Sequence, residues 1–216
     1  MAVLAENRAR LTLAPGGLRR QGPPSSSGAS GTTAFYFNGP ASPLRQHNGI
    51  LFPYQPDITY SQSVNYSPYD MTHTNYTYNA YRNTPSPTMQ ITTQFASITQ
   101  EEGEYTLGVL HFLRSVSKMF FGKNDLGKSP SSGTPPPVLR FSAFGEQQFN
   151  NIPVVLESFS TTYDSSIDLK DINGTQVPTL MNFFIGMSIQ INPDRQKSVY
   201  STHNFINGSG YKDGFI

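Results

Sequence analysis

Residues 177–191 read Val177-Pro178-Thr179-Leu180-Met181-Asn182-Phe183-Phe184-Ile185-Gly186-Met187-Ser188-Ile189-Gln190-Ile191. From Phe183 onward every second residue is large and apolar, with Phe184, Gly186, Ser188 and Gln190 between. Successive side chains of a strand point to opposite faces, so this period of two predicts a long β-strand with one buried face. Asn192-Pro193 ends it. Working outward, the same alternation recurs at Ile58, Tyr60, Gln62, Val64 and Tyr66, which Ser67-Pro68-Tyr69-Asp70 is expected to break. Tyr76, Tyr78 and Ala80 alternate with Asn75, Thr77 and Asn79, and Met89, Ile91, Thr93 and Phe95 predict a further strand. Val138–Phe144 and Ile152–Phe159 predict two more, separated by a turn over 145–151. Ala34–Phe37 is a shorter candidate, and the apolar Ile50–Tyr54, with Pro53 and Pro56, reads as an extended entry into the folded part.

One segment departs from this period. Thr99 precedes Glu102 by three residues, the spacing of a capping box, in which each side chain satisfies a free backbone N–H. Glu101, Glu102 and Glu104 lie where carboxylates suit the helix dipole. Tyr105, Val109, Phe112 or Leu113, Val116 and Phe120 then recur at helical spacing, with Gly122 as a stop. The expectation is a helix over about 100–121 with one face on a sheet. The predicted fold class is therefore mainly β (α+β): an antiparallel β-sandwich or barrel of six or seven strands with one flanking helix.

Three regions are expected. Residues 1–45 read as a flexible basic arm rich in Pro, Gly and Ser, including Gly22-Pro23-Pro24-Ser25-Ser26-Ser27-Gly28. Residues 50–195 carry the β domain, and 196–216 form a Gly/Asn/Ser-rich C-terminal extension. The Arg residues of the arm resemble an organellar transit peptide only faintly.

Composition narrows the function. The chain has 216 residues, no Cys, and a net charge of +1. Disulfides and thiolate chemistry are excluded, and a dedicated nucleic-acid binder is disfavoured. Charged residues are 13%, about half the usual share, whereas aromatics reach 12% from 15 Phe and 12 Tyr. Such a surface suits Thr/Tyr-rich strands and contact with other subunits, whose centres favour aromatics and avoid charge. Sequons at Asn65, Asn75, Asn173 and Asn207 arise readily in an Asn/Ser/Thr-rich chain.

No constellation carries chemistry. His47, His73, His111 and His203 form no ligand motif, and His111 beside Phe112 reads as a boundary or core histidine. Gly127-Lys128-Ser129 matches only the end of a phosphate loop. Asp164, Asp168 and Asp171 fit a solvated loop better than a cation site, because the glycine and glutamate of a calcium loop are unmatched. The Glu pair at 101 and 102 is accounted for by the helix start. No catalytic, cofactor-binding or metal residue is expected.

Longer strings point to a family. Phe52-Pro53-Tyr54 and Ile91-Thr92-Thr93-Gln94-Phe95 lead into Glu101-Glu102-Gly103-Glu104-Tyr105. His111-Phe112-Leu113-Arg114-Ser115-Val116-Ser117-Lys118-Met119-Phe120-Phe121-Gly122 follows, then Gly133-Thr134-Pro135-Pro136-Pro137-Val138-Leu139 and Phe149-Asn150-Asn151-Ile152-Pro153-Val154-Val155. Over roughly 50–195 the chain resembles the baseplate tail-tube initiator and junction proteins of T4-like contractile-tailed phages. The resemblance implies two packed antiparallel sheets and a helix, six copies closing a ring, and inner strands joined in a continuous barrel around the DNA channel. It implies a virion protein assembled in the host cytoplasm. Its partners would be adjacent tail-tube ring proteins, the baseplate hub, the tape-measure protein and, transiently, double-stranded DNA. No cofactor and no small-molecule substrate are implied. The loop at about 122–137 is then the candidate inter-subunit or inter-ring contact, through Lys123, Asn124, Asp125, Pro135, Pro136 and Pro137. Two other readings stay open: the main tail-tube subunit, which stacks on itself, and a carbohydrate-binding β-sandwich module.

Overall fold

The computed structural model describes residues 7–14, 36–119, 135–210 and 214–216. In chain order the strands are β1 (Arg10–Leu13), β2 (Gly49–Leu51), β3 (Asp57–Ser61), β4 (Asn65–Tyr69), β5 (Tyr78–Asn83), β6 (Thr88–Ala96), β7 (Leu139–Ala143), β8 (Phe149–Thr162), β9 (Leu169–Ile172), β10 (Thr175–Pro178) and β11 (Leu180–Ile189). A 3-10 helix spans Gly39–His47, and α-helices span Gln100–Val116 (α1), Pro193–Val199 (α2) and Thr202–Ile206 (α3). The fold is mainly β, an α+β antiparallel sandwich, as the periodicities predict.

β11 lies at the heart of the main sheet. β11 pairs antiparallel with β6 on one side, Ile185 opposite Ile91, and with β8 on the other, Ile185 opposite Phe159. The full order is β2-β1-β7-β8-β11-β6-β3, seven strands. This sheet is rolled, and chain length requires it. A flat sheet would hold β2 and β3 about 29 Å apart, six strand spacings of about 4.8 Å. The chain between Leu51 and Asp57 reaches at most about 21 Å when fully extended. The concave side holds Leu11, Ile50, Met89, Ile91, Phe95, Phe141, Val154, Phe183, Ile185 and Met187, all buried.

Helix α1 closes that core with Val109, Phe112, Leu113 and Val116. Its start is the predicted capping box. The Glu102 N–H donates to Thr99 Oγ1 at 3.2 Å, and Glu102 Oε2 accepts from the Thr99 N–H at 2.9 Å and the Ile98 N–H at 3.1 Å. These donors hold the Glu102 carboxyl below its usual range, the Thr99 N–H most of all. The helix ends at Val116, earlier than 121, with Ser117 as its cap. Phe120 and Gly122 lie outside the described residues.

Several expectations are corrected. Part of the 1–45 arm belongs to the fold: β1 lies between β2 and β7, with Leu11 opposite both Ile50 and Phe141. Leu11 and Leu13 supply two apolar inward positions, enough for a strand that neighbours flank on both sides. Tyr36 and Phe37 are not strand. They precede the 3-10 helix, where Pro40 and Pro43 fix φ and withhold donors. Phe37 instead stacks on Phe112, ring centroids 5.6 Å apart at 7°.

The alternating run 58–66 is divided between β3 and β4, and Ser67-Pro68-Tyr69 continues β4 rather than breaking it. Pro68 is tolerated because β4 pairs on one side only, with β5. A hairpin unforeseen in the loop after Thr162 is formed by β9 and β10 around Asn173-Gly174, both at positive φ (52° and 82°). It docks on α1, where Gly103 makes the space: a Cβ there would lie 2.5 Å from Ile172 Cδ1. The C-terminal extension is also packed, with Phe215 buried and ring-to-ring with Tyr200 at 5.3 Å.

Candidate assembly surface

A sheet edge is a row of unpaired N–H and C=O groups, so each edge must be covered, twisted away or paired with another chain. The β2 edge is covered from within. The Phe52 N–H turns inward to Ala9 O at 3.0 Å, so the backbone of the preceding residue, Leu51, faces the other way. There the Tyr105 hydroxyl accepts from the Leu51 N–H and donates to the Leu51 C=O, both at 2.8 Å. One phenol satisfies both groups and ties α1 to the sheet. Burial pushes the Tyr105 pKa up, since the site disfavours the phenolate.

Two other edges stay open among the described residues. β7 covers β8 only as far as Val154, so from Val155 to Thr162 β8 is paired on one side alone, with β11. β3 is paired on one side alone, with β6. Glu157 interrupts the β8 register, because Ser158 lies opposite Gly186 and Leu156 opposite Met187. Such a bulge increases local twist.

Beyond β3 the chain runs into the β4–β5 hairpin, which belongs to no larger sheet. Only Ser67 and Ala80 in it are even partly buried. Tyr69 lies opposite Tyr78 on one face and Tyr66 opposite Tyr81 on the other, so both faces carry an aromatic pair. The Tyr66 and Tyr81 rings meet edge to face at 6.1 Å. Polar links do the remaining work: Asn65 Nδ2 to Asn83 Oδ1 at 3.1 Å, and Thr77 Oγ1 to Asp70 Oδ1 at 2.7 Å across the tip. Tyr76, on the tip, is 88% exposed. A lone two-stranded hairpin is marginal in water, and this one leaves aromatic surface exposed on both of its faces.

The convex face of the central strands has its own character. Its outward positions are Thr88, Gln90, Thr92 and Gln94 on β6, Asn182, Phe184 and Ser188 on β11, and Ser158, Ser160 and Thr162 on β8. None of these is charged. Across β3 the face continues through Thr59 and Ser61, with Asp57 at its border.

The residues singled out from sequence are scattered. Lys123, Asn124 and Asp125 lie outside the described residues. Pro135 and Pro136 are exposed, whereas Pro137 is buried beside Val138, whose carbonyl accepts from the Ala14 N–H at 3.3 Å. Pro137 thus belongs to the fold rather than to a surface contact. His111 is exposed on α1, not a core or boundary residue, and His73 lies exposed at the hairpin tip with φ of 64°. Asp164 accepts from the Ser166 N–H and hydroxyl, and Asp171 from the Gly174 N–H at 2.7 Å, so both stabilise turns. Among the described residues no cluster of three His, Asp or Glu is placed to hold a metal ion, and no helix is long and apolar enough to cross a membrane. Missed from sequence were Tyr105 and the isolation of the hairpin. The alternation of Tyr with Asn and Thr in 65–83, only moderately apolar on either face, was the available signal.

Comparison with protein-family models gives no match, and comparison with curated proteins gives no significant one.

Proposed function

We propose that the chain is a structural virion protein that forms a hexameric ring at the junction of baseplate and tail tube, nucleating the tube and continuing its DNA channel. The observation that carries this reading is the β4–β5 hairpin, with tyrosines bare on both faces next to sheet edges that no strand of the same chain covers. Ring closure pairs open edges and covers aromatic surface without leaving a free end, whereas open stacking leaves one. The uncharged outward positions of β6 and β11 suit a wet channel past which a polyanion moves without being held. Resemblance over 50–195 supplies the particular assembly. The neighbours would be other tube rings, the hub and the tape-measure protein.

The main tail-tube subunit shares every feature above and differs only in stacking on itself. Electron microscopy of the purified protein separates the two: discrete six-fold rings mark a junction protein, and long tubes mark the main subunit. The uncharged Ser/Thr/Asn/Gln face also favours a carbohydrate-binding module. Glycan binding by a protein that stays monomeric at every concentration would replace the assembly reading. Deleting 123–134 is expected to impair stacking of rings, and unchanged stacking would remove Lys123, Asn124 and Asp125 from the contact.

A further inference from the structure

The convex face of the sheet changes at its other end. On β1 and β7 the outward residues are Arg10, Thr12, Arg140 and Ser142, because Leu11, Leu13, Leu139 and Phe141 point into the core. The register sets Arg10 opposite Ser142 and Thr12 opposite Arg140. The end of the 3-10 helix, with Gln46, His47 and Asn48, and Asn151 of β8 complete a cleft of about 520 Å³. Its lining holds two guanidinium groups and no carboxylate.

Arg140 is the fixed member. Its Nη1 donates to the Asn151 carbonyl at 3.0 Å, while its Nε is buried without a hydrogen-bond partner. Thr12 Oγ1 donates to the Arg140 carbonyl at 3.4 Å, and Ser142 Oγ accepts from the Asn151 N–H at 2.9 Å. Partial burial, and secondarily the guanidinium of Arg195, push the Arg140 pKa down. A guanidinium always stays charged in a protein, so this strain is electrostatic rather than a proton loss. A partly desolvated cation with a second cation nearby raises the affinity of the place for an anion.

We propose that this cleft is an oxyanion site that takes a phosphate ester of about nucleotide size. The planar guanidinium fork matches phosphate oxygens in pairs, and Arg10 and Arg140 together balance a dianion better than a single carboxylate. Sites for small molecules occupy about 300–1,000 Å³, so the cleft exceeds a bare phosphate and has room for the organic part of an ester. Gln46, Asn48 and Ser142 supply uncharged polar groups for that part. The inference rests on β1, β7, the start of β8 and the 3-10 helix and does not depend on ring formation.

Calorimetry on the full chain tests it, with inorganic phosphate, pyrophosphate and ADP titrated at matched ionic strength. An acidic peptide and a short DNA duplex serve as further arms. Expected is binding of pyrophosphate and ADP, with Arg10→Gln weakening both about tenfold or more. Arg10 is exposed, so that variant keeps its fold. Arg140→Lys preserves charge without the fork and is expected to weaken binding too, with shift changes at Thr12 and Asn151 in NMR spectra marking the location. No binding of any phosphate species at about 10 mM would overturn the site. So would equal affinity in both variants, or binding of the acidic peptide alone. Binding of the duplex without ADP would overturn the small-ester assignment.

Discussion

Replacing Tyr105 by phenylalanine removes one oxygen and orphans two backbone groups. In the native fold the hydroxyl holds both the N–H and the C=O of Leu51, each at 2.8 Å. Each such bond is worth about 1 kcal/mol net, and an orphaned group that water cannot reach costs about 1–3 kcal/mol. A cleft of about 280 Å³ borders Leu51, Tyr105 and Pro53 and admits water, which holds the cost toward the lower bound. The expected loss is about 2 kcal/mol. Urea denaturation measures it, as a lower midpoint at constant slope. The Leu51 amide should also exchange faster, because its only outward partner is gone.

The same residue carries a pH signature. A phenol whose folded pKa is raised contributes stability that is complete below its unfolded value of about 10 and is lost as pH rises through the folded value. Tyr36, pushed up to about 12 by burial, adds its own alkaline decline. Tyr105→Phe should therefore lose stability less steeply than the wild type above about pH 10. A change under about 0.5 kcal/mol, or an unchanged alkaline slope, would refute the claim that this phenol seals the β2 edge.

Thr99→Ala should cost about 1 kcal/mol in denaturant, since it removes the acceptor for the Glu102 N–H. Glu102 has a depressed pKa, so its contribution is present above the usual carboxylate range and is lost as pH falls through the folded value; Glu102→Gln should flatten the acid limb of a stability–pH curve. Gly103→Ala should destabilise the wild type through Ile172, yet stabilise an Ile172→Ala background by about 1 kcal/mol through helix propensity, a sign reversal that a double-mutant cycle in urea detects. Changing Tyr69, Tyr76 and Tyr78 together to Ser should leave the monomer's melting temperature nearly unchanged, because all three are exposed, while abolishing assembly in sedimentation.

What could be read in the sequence follows the range of the interaction. Met181–Ile189 declared itself because a strand buried on one face cannot avoid a period of two. The start of α1 did so because a capping box is a four-residue device. The β9–β10 hairpin around Asn173-Gly174 went unread, because flanking strands of four residues give little periodic context. β1 was hidden for a different reason. Its inward residues are only Leu11 and Leu13, and its pairing with Arg140 and Ser142 closes across about 130 residues of chain. Nothing local signals that Arg10 and Arg140 share a cleft, or that Tyr105 reaches Leu51. The exposed hairpin was half legible: its Tyr/Asn/Thr alternation showed two poorly buried faces, but whether those faces meet solvent or subunits is decided by the assembly.

Negative-stain electron microscopy of the purified chain over a concentration series, alone and with isolated contractile-phage baseplates, tests ring formation directly. A ring-forming junction protein gives discrete six-fold rings, or new density capping the baseplate centre. A monomer at every concentration that leaves the baseplates unchanged would contradict that role.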